Sequence, residues 1–407
     1  MTDDTTSNTR KVLHNPSFLR LWLGRIGISF AYQMEGVAVG WQMYALTDST
    51  FYLGLVGLAQ FLPMVALTLV VGQVVDRFDR RRILQVCTLI EAGCVGALAL
   101  GSYQGWLTAH WLLLIVALIG ASHAFEGPSL QSLLPSIIPR ELFPTAAAIS
   151  TSAMQTSSII GPAIGGFLYT INASVVYTVS AGCFLFASIM VLRIRYDRSS
   201  TIKEPVNRKS IFAGLHFIWS KPLVLGAISL DLFAVLLGGA TALLPVFAKD
   251  ILHTGPMGLG LLRSAPAIGA LITSIYLARH PIQHHVGKVM FNAVFVFGLA
   301  TILFGVSTSF YLSLFALLVL GGSDIISVVI RHTLVQLGTP DEMRGRVSAV
   351  NSLFIGTSNQ LGEFESGLTA SLFGVVPAVV LGGLGTIAVV FVWMKLFPTL
   401  KNADTIT

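Results

Sequence analysis

Charge is the scarcest component of this chain: 11% of its 407 residues are Asp, Glu, Lys or Arg, where a soluble domain carries roughly 25%. With 54% hydrophobic residues and a mean hydropathy of +0.77, an ordinary soluble fold is excluded. Cysteine is almost missing, with three in all, Cys87, Cys94 and Cys183. Cys87 and Cys94 stand about 10 Å apart along one helix, too far for a disulfide. No Gly-x-x-x-x-Gly-Lys-Ser/Thr phosphate cradle is present, which removes ATP-driven pumping through such a loop. Neither a His-Glu-x-x-His zinc site nor a Gly-x-Ser-x-Gly nucleophile turn occurs, so an enzyme is not expected, nor a cofactor or resident metal. Residues 1–10 are polar, carry Asp3 and Asp4 and lack an apolar stretch before a small-residue cleavage site, so no cleaved leader is expected.

What the chain has instead is apolar length. A bilayer core of about 30 Å needs roughly 20 residues of helix, and such runs are predicted at 18–46, 51–75, 83–102, 110–134, 145–170, 173–193, 222–247, 256–279, 287–307, 310–332, 346–373 and 375–397. Of the 25 Lys and Arg, all but Arg25, Arg263 and Lys249 then fall on or next to one face. That face is cytoplasmic by the positive-inside rule, and an even number of spans puts both termini there. The formal charge of +6 thus reflects topology and attraction to anionic lipid headgroups, and gives no reason to expect nucleic acid.

The polar interruption from Arg195 to Ser210 divides the spans six and six. The expected organisation is an N-terminal half at 1–194, a cytoplasmic linker at 195–221 and a C-terminal half at 222–407. The two halves carry a repeat. Gly120-Ala121-Ser122-His123 is answered by Gly321-Gly322-Ser323-Asp324, Pro139-Arg140-Glu141 by Pro340-Asp341-Glu342, and Gly161 with Gly166 by Gly362 with Gly367, each at an offset of 201 residues. Duplicated halves of the same hand in a membrane protein point to a transporter that rocks about a central site.

Two segments carry more specific chemistry. Between the second and third spans, Gly72 permits close helix approach, Asp76 can accept from a helix N-terminus or an Arg, and Arg77, Arg80 and Arg81 hold the connection at the cytoplasmic surface. In the fifth span, Gly161 and Gly165 form a small-residue face, Pro162 interrupts the helical hydrogen bonds, and Gly166 follows. The first segment resembles the loop signature of the major facilitator superfamily. The second is similar to the Gly-Pro-x-x-Gly-Gly motif of its antiporters, which is associated with export. Phe18 to Arg25, Val37-Ala38-Val39 and Thr339 to Arg346 resemble the branch that contains enterobactin exporters and macrolide efflux pumps. This resemblance spans about residues 15–397. It implies an all-α membrane protein of the major facilitator fold, with twelve transmembrane helices in two six-helix halves related by a pseudo-two-fold axis. It also implies that the loop signature latches one state. Residues 121–134 in span four carry no Arg, unlike many drug antiporters, so coupling is expected to be arranged differently.

A charge at the bilayer centre costs about 2.5–3.5 kcal/mol on the gentlest scale, so each one needs a reason. The resemblance implies that spans one, four, seven and ten line the cavity. Those spans bring Arg25, Gln33 and Glu35, then His123 and Glu126, then Asp231, then Asp324. At about 1.5 Å per residue, Glu35 lies about 25 Å from the cytoplasmic end of its span, and His123 and Asp324 about 20 Å from the periplasmic ends of theirs. The offset maps His123 onto Asp324, so an imidazole and a carboxylate are candidates to exchange a proton across the halves; the alternative is that each bonds locally. Glu126 or Asp231 is a candidate partner for Arg25, and Glu91 is read as a fold or gate residue. His280, His284 and His285 suggest a metal or pH site, against an ordinary solvated loop.

The expected function is a monomeric secondary transporter of the bacterial inner membrane that exports a small organic molecule, siderophore-like or an amphipathic drug, in exchange for protons. An importer or uniporter of the same fold, metal-ion efflux through His123 and Asp324, and a scaffold or enzyme are the rivals.

Overall fold

With no water in the hydrocarbon to take up backbone N–H and C=O groups, an apolar chain must satisfy them within itself. Accordingly every apolar run is helical in this computed structural model, which describes residues 2–195 and 215–405, and no strand occurs among them. A polar helix α1 (Thr2–Leu13) leads into α2 (Pro16–Thr47), α3 (Thr50–Arg77), α4 (Arg80–Gln104), α5 (Ala109–Ile137), α6 (Phe143–Ile171) and α7 (Ala173–Leu192). After the linker, of which residues 196–214 lie outside the described part, come α8 (Pro222–Leu237), α9 (Gly255–Arg279), α10 (Val286–Val306), α11 (Phe310–Leu337), α12 (Asp341–Phe373) and α13 (Val375–Leu396).

Among the described residues nine stretches are long and apolar enough to cross a membrane: one in each of α3, α4, α5, α7, α9, α10, α11 and α13, and Pro222–Ile251. The protein is therefore a multi-pass membrane protein. Helices α2, α6 and α12 have ample length, at 32, 29 and 33 residues, but are diluted by Ser, Thr, Gly and ionisable side chains.

The chain divides into two compact units, residues 1–42 with 62–206, and 43–61 with 207–407. In the first, α4 packs on α7 and α5, around the fully buried Leu84, Leu98, Leu112, Ile119, Tyr177 and Phe184. In the second, α10 packs on α13 and α11, around Leu230, Met290, Phe291, Ile330, Leu334 and Val390. Third helix on sixth and third on fourth thus recur in both units, and in the second α9 packs on α11 as well. The glycines of the sequence repeat follow suit. A Cβ on Gly161 of α6 would stand 2.6 Å from the Gln33 Cβ of α2, and one on Gly362 of α12 would stand 3.0 Å from the Leu236 oxygen of α8. Both glycines let a fifth helix approach a first helix of its unit more closely than a side chain allows.

Three local features differ from the sequence reading. The segment at residues 72–82 that resembles a loop signature is almost entirely helical, beyond the predicted span end at 75: α3 runs through Gly72 to Arg77, α4 starts at Arg80, and only Phe78 and Asp79 intervene. Asp79, in extended conformation, caps α4 by accepting from the Arg81 N–H at 2.9 Å. The guanidinium of Arg80 donates to the Ser132 carbonyl near the end of α5 at 3.4 Å, and that of Arg81 to the Ile194 carbonyl past α7 at 2.9 Å. Cations at helix C-termini of this kind contribute about 0.3–1 kcal/mol each. The Asp76 side chain lies outside the described residues.

The seventh apolar run is not one helix. α8 stops at Gly238-Gly239, and the chain continues as a 3-10 turn (Ala240–Leu243), a short α turn (Leu244–Val246) and a π turn (Phe247–Ile251). Hydropathy is blind to this break because the run stays apolar across it. Finally, α11 extends five residues past the predicted end at 332, so Arg331 stands more than one turn inside the helix end.

Candidate functional site

In the first unit the ionisable side chains converge from three helices. Glu35 of α2 and Glu91 of α4 are each 1% exposed, and none of their four carboxylate oxygens has a hydrogen-bond partner. Glu126 of α5 is 4% exposed. One turn earlier on the same helix, His123 places its Nδ1 3.3 Å from Glu126 Oε2 and stacks on the Tyr32 ring with centroids 5.0 Å apart. Spacing of three on a helix brings these two side chains to one face. Glu35 is within electrostatic reach of both His123 and Glu126, and Glu91 of Glu126 and Glu35. Glu91, read from the sequence as a fold or gate residue, belongs to this group. Its signal was available, because an acidic residue in the middle of an apolar run is costly wherever it points.

The other first-unit candidates sit around this group. Gln33 donates through Nε2 to Ser158 Oγ at 3.1 Å, tying α2 to α6 beside Gly161. Arg25 donates to the Met154 sulfur at 2.6 Å and lies within electrostatic reach of Glu126. Gly161, Pro162, Gly165 and Gly166 are all buried, and a Cβ on Gly165 would stand 2.8 Å from the Met34 Cα. α6 remains helical through Pro162.

In the second unit Asp231 of α8 is bound by Arg331 of α11, Nη1 to Oδ2 at 2.5 Å, with the side chains 6% and 3% exposed. Sequence reasoning assigned Arg331 to the membrane face and offered Asp231 to Arg25; the buried pair gives Asp231 another partner. Asp324 lines the same pocket as Asp231, together with Ser323 and Ser327. His123 and Asp324, equated by the repeat, belong to different units, and His123 has its local partner in Glu126.

A second polar group occupies the end of α2 and the π turn. Tyr44 donates its hydroxyl to Asp250, and Lys249 contacts Asp48 at 2.5 Å while lying 4.8 Å from the Tyr44 ring centre. Sequence reading placed Lys249 on the far side of the membrane without naming these partners. At the opposite end of the chain, the backbone N–H of His285 donates to Asp404 at 3.1 Å, and His285 Nδ1 lies 2.8 Å from the same carboxylate. That backbone bond and the two neighbouring imidazoles hold the Asp404 carboxyl below its ordinary pKa.

The chain is similar to known proteins over nearly all of its length. The family described as "Transmembrane secretion effector" matches residues 8–407. The enterobactin exporter EntS of Citrobacter koseri is 25% identical over 402 residues, covering 95% of this chain and 93% of its own. Among solved structures, a bacterial homologue of the human lysosomal transporter Spinster superposes with a TM-score of 0.71 at 15% identity, covering 94% of this chain and 95% of its own. A POT family transporter in complex with 5-aminolevulinic acid does so with a TM-score of 0.72 at 12% identity, covering 95% and 97%.

Proposed function

We propose an export function from one premise: the chain belongs to the transmembrane secretion effector family of the major facilitator superfamily. Members of that superfamily are membrane transporters, not enzymes, and this protein is a secondary transporter of small molecules. In our reading it acts as a monomer in the bacterial inner membrane with both termini cytoplasmic. Its twelve spans form two like-handed halves, 1–194 and 222–407, joined by 195–221. The cargo is a small organic molecule exported in exchange for protons. A siderophore-like chelator is favoured over an amphipathic drug by the enterobactin exporters among its relatives.

The observation that carries this reading is the set of ionisable side chains inside apolar helices of both units: Arg25, Glu35, His123 and Glu126 in the first, Asp231, Asp324 and Arg331 in the second. Nothing in fold stability requires buried charge of this density, since buried ion pairs are often no better than apolar packing. Gln33, Glu35 and Arg25 bind cargo. Asp324, beside the Asp231–Arg331 pair, takes up and releases the proton. Gly72, Asp76, Arg77, Arg80 and Arg81 latch one state, and Gly161, Pro162, Gly165 and Gly166 keep α6 closely packed on α2 through the cycle.

The test is transport into inverted membrane vesicles with the interior acidified, using a radiolabelled catecholate siderophore. Wild type is expected to accumulate label, with loss in Asp324→Asn and weakened apparent affinity in Glu35→Gln. Accumulation that ignores the pH gradient, or that survives in both variants, would refute the assignment.

A further inference from the structure

Among the described residues one cluster brings three metal-ligating side chains together, with donor atoms of Glu91, His123 and Glu126 all within 4.8 Å of one another. The helices make this convergence stable. His123 and Glu126 share one face of α5, and Glu91 comes from α4, which packs directly on α5. The 3.3 Å between His123 Nδ1 and Glu126 Oε2 matches the edge of a coordination shell, since ligands about 2.1 Å from a tetrahedral ion stand roughly 3.4 Å apart.

An independent observation points into the cluster. Both carboxylate oxygens of Glu91 lack a hydrogen-bond partner although the residue is 1% exposed, and the same holds for Glu35 beside it. An unpaired carboxylate withdrawn from water costs several kcal/mol as an anion. A cation seated between Glu91 and Glu126 removes that cost, and with a neutral imidazole two carboxylates balance a charge of two. Arg25 is within electrostatic reach of Glu126 and touches the Met154 sulfur.

We infer that Glu91, His123 and Glu126 bind one divalent first-row transition-metal ion, with Glu35 at its side. The donor set narrows the ion. One imidazole with carboxylates suits zinc, iron(II), cobalt or manganese, whereas calcium and magnesium take oxygen alone and copper(I) takes sulfur. The His123 side chain is 40% exposed against 5% for Glu126, so the ion enters on the histidine side. The site shares His123 and Glu126 with the ionisable set behind the export reading, and the test below reads ion binding alone, so its outcome is separate from that of transport.

The test is calorimetric titration of the purified, chelator-treated protein with Zn2+. The control is His284→Ala/His285→Ala, which removes two exposed loop histidines. One ion per chain is expected in wild type and in the control, with affinity reduced about tenfold or more in Glu91→Gln and His123→Ala. Unchanged binding in both site variants, loss in the loop control, or no binding by wild type at millimolar Zn2+ overturns the proposal. Zinc-edge X-ray absorption on wild type covers the case in which the site variants fail to fold. One imidazole with oxygen donors supports the site, and two or more imidazoles overturn it.

Discussion

Replacing Arg331 by Met is expected to destabilise the second unit by about 3–5 kcal/mol, the usual cost of stripping one partner from a buried ion pair. The pair is deeply placed, with side chains 3% and 6% exposed at 2.5 Å. Its loss strands the Asp231 carboxylate in a pocket that already contains Asp324. At about 2–4 °C per kcal/mol for a unit of this size, thermal unfolding in detergent should fall by roughly 6–20 °C. Asp231→Leu combined with Arg331→Met should recover most of that, because two apolar side chains leave no orphan charge. Adding Asp324→Asn to Arg331→Met should recover part of it by removing the second carboxylate. The measurement is a double-mutant cycle in melting temperature followed by intrinsic tryptophan fluorescence. Single variants that each shift melting by less than about 2 °C, or a coupling energy below about 0.5 kcal/mol, would refute the reasoning.

Other perturbations follow from the same geometry. Gly161→Ala, whose Cβ would meet the Gln33 Cβ at 2.6 Å, should destabilise by about 1–3 kcal/mol, whereas Gly127→Ala, with nothing within 4 Å, should be tolerated; equal melting shifts would contradict this. Tyr44→Phe removes the hydroxyl bonded to Asp250 and should cost about 1–3 kcal/mol. Strict additivity with Asp250→Asn would show that the bond is not made. For Asp404 the folded pKa is depressed, so the tether to His285 is complete above the unfolded value near about 3.9 and is lost as pH falls through the lower folded value. A spin label at Lys401 should be less mobile at neutral pH than under strong acid, with Asp404→Ala lacking that difference; a pH-independent spectrum in wild type would count against it.

The spans were legible because hydrocarbon imposes one simple rule, apolar length, and predicted ends such as 173–193 and 256–279 fall within one residue of Ala173–Leu192 and Gly255–Arg279. What the rule cannot see is where an apolar run stops being an α-helix. The break at Gly238-Gly239 had its only signal in the glycine pair itself. Arg331, near the predicted end of the tenth span, read as an anchor, and its burial against Asp231 had no signal in the sequence. The predicted spans 51–75 and 83–102 left residues 76–82 between them, whereas only Phe78 and Asp79 fall outside helices, because Asp79 caps a helix that begins one residue later. Convergence of Glu91 with His123 and Glu126 depends on how α4 and α5 rotate against each other, which a single sequence does not encode in any periodic pattern.

The interrupted eighth helix constrains more than its own strand of backbone. Carbonyl and amide groups set loose at such a break find no solvent in lipid, so neighbouring helices must shelter them. Thr386 of α13 donates its hydroxyl at 3.0 Å to the Ala234 carbonyl, which also takes the Gly238 N–H just before the break, and a Cβ on Gly239 would stand 2.7 Å from the Gly362 carbonyl carbon of α12. These three helices therefore cannot slide apart without opening raw peptide to hydrocarbon. A rearrangement of this half that parts α8 from α12 or α13 would lose the close packing that covers the break.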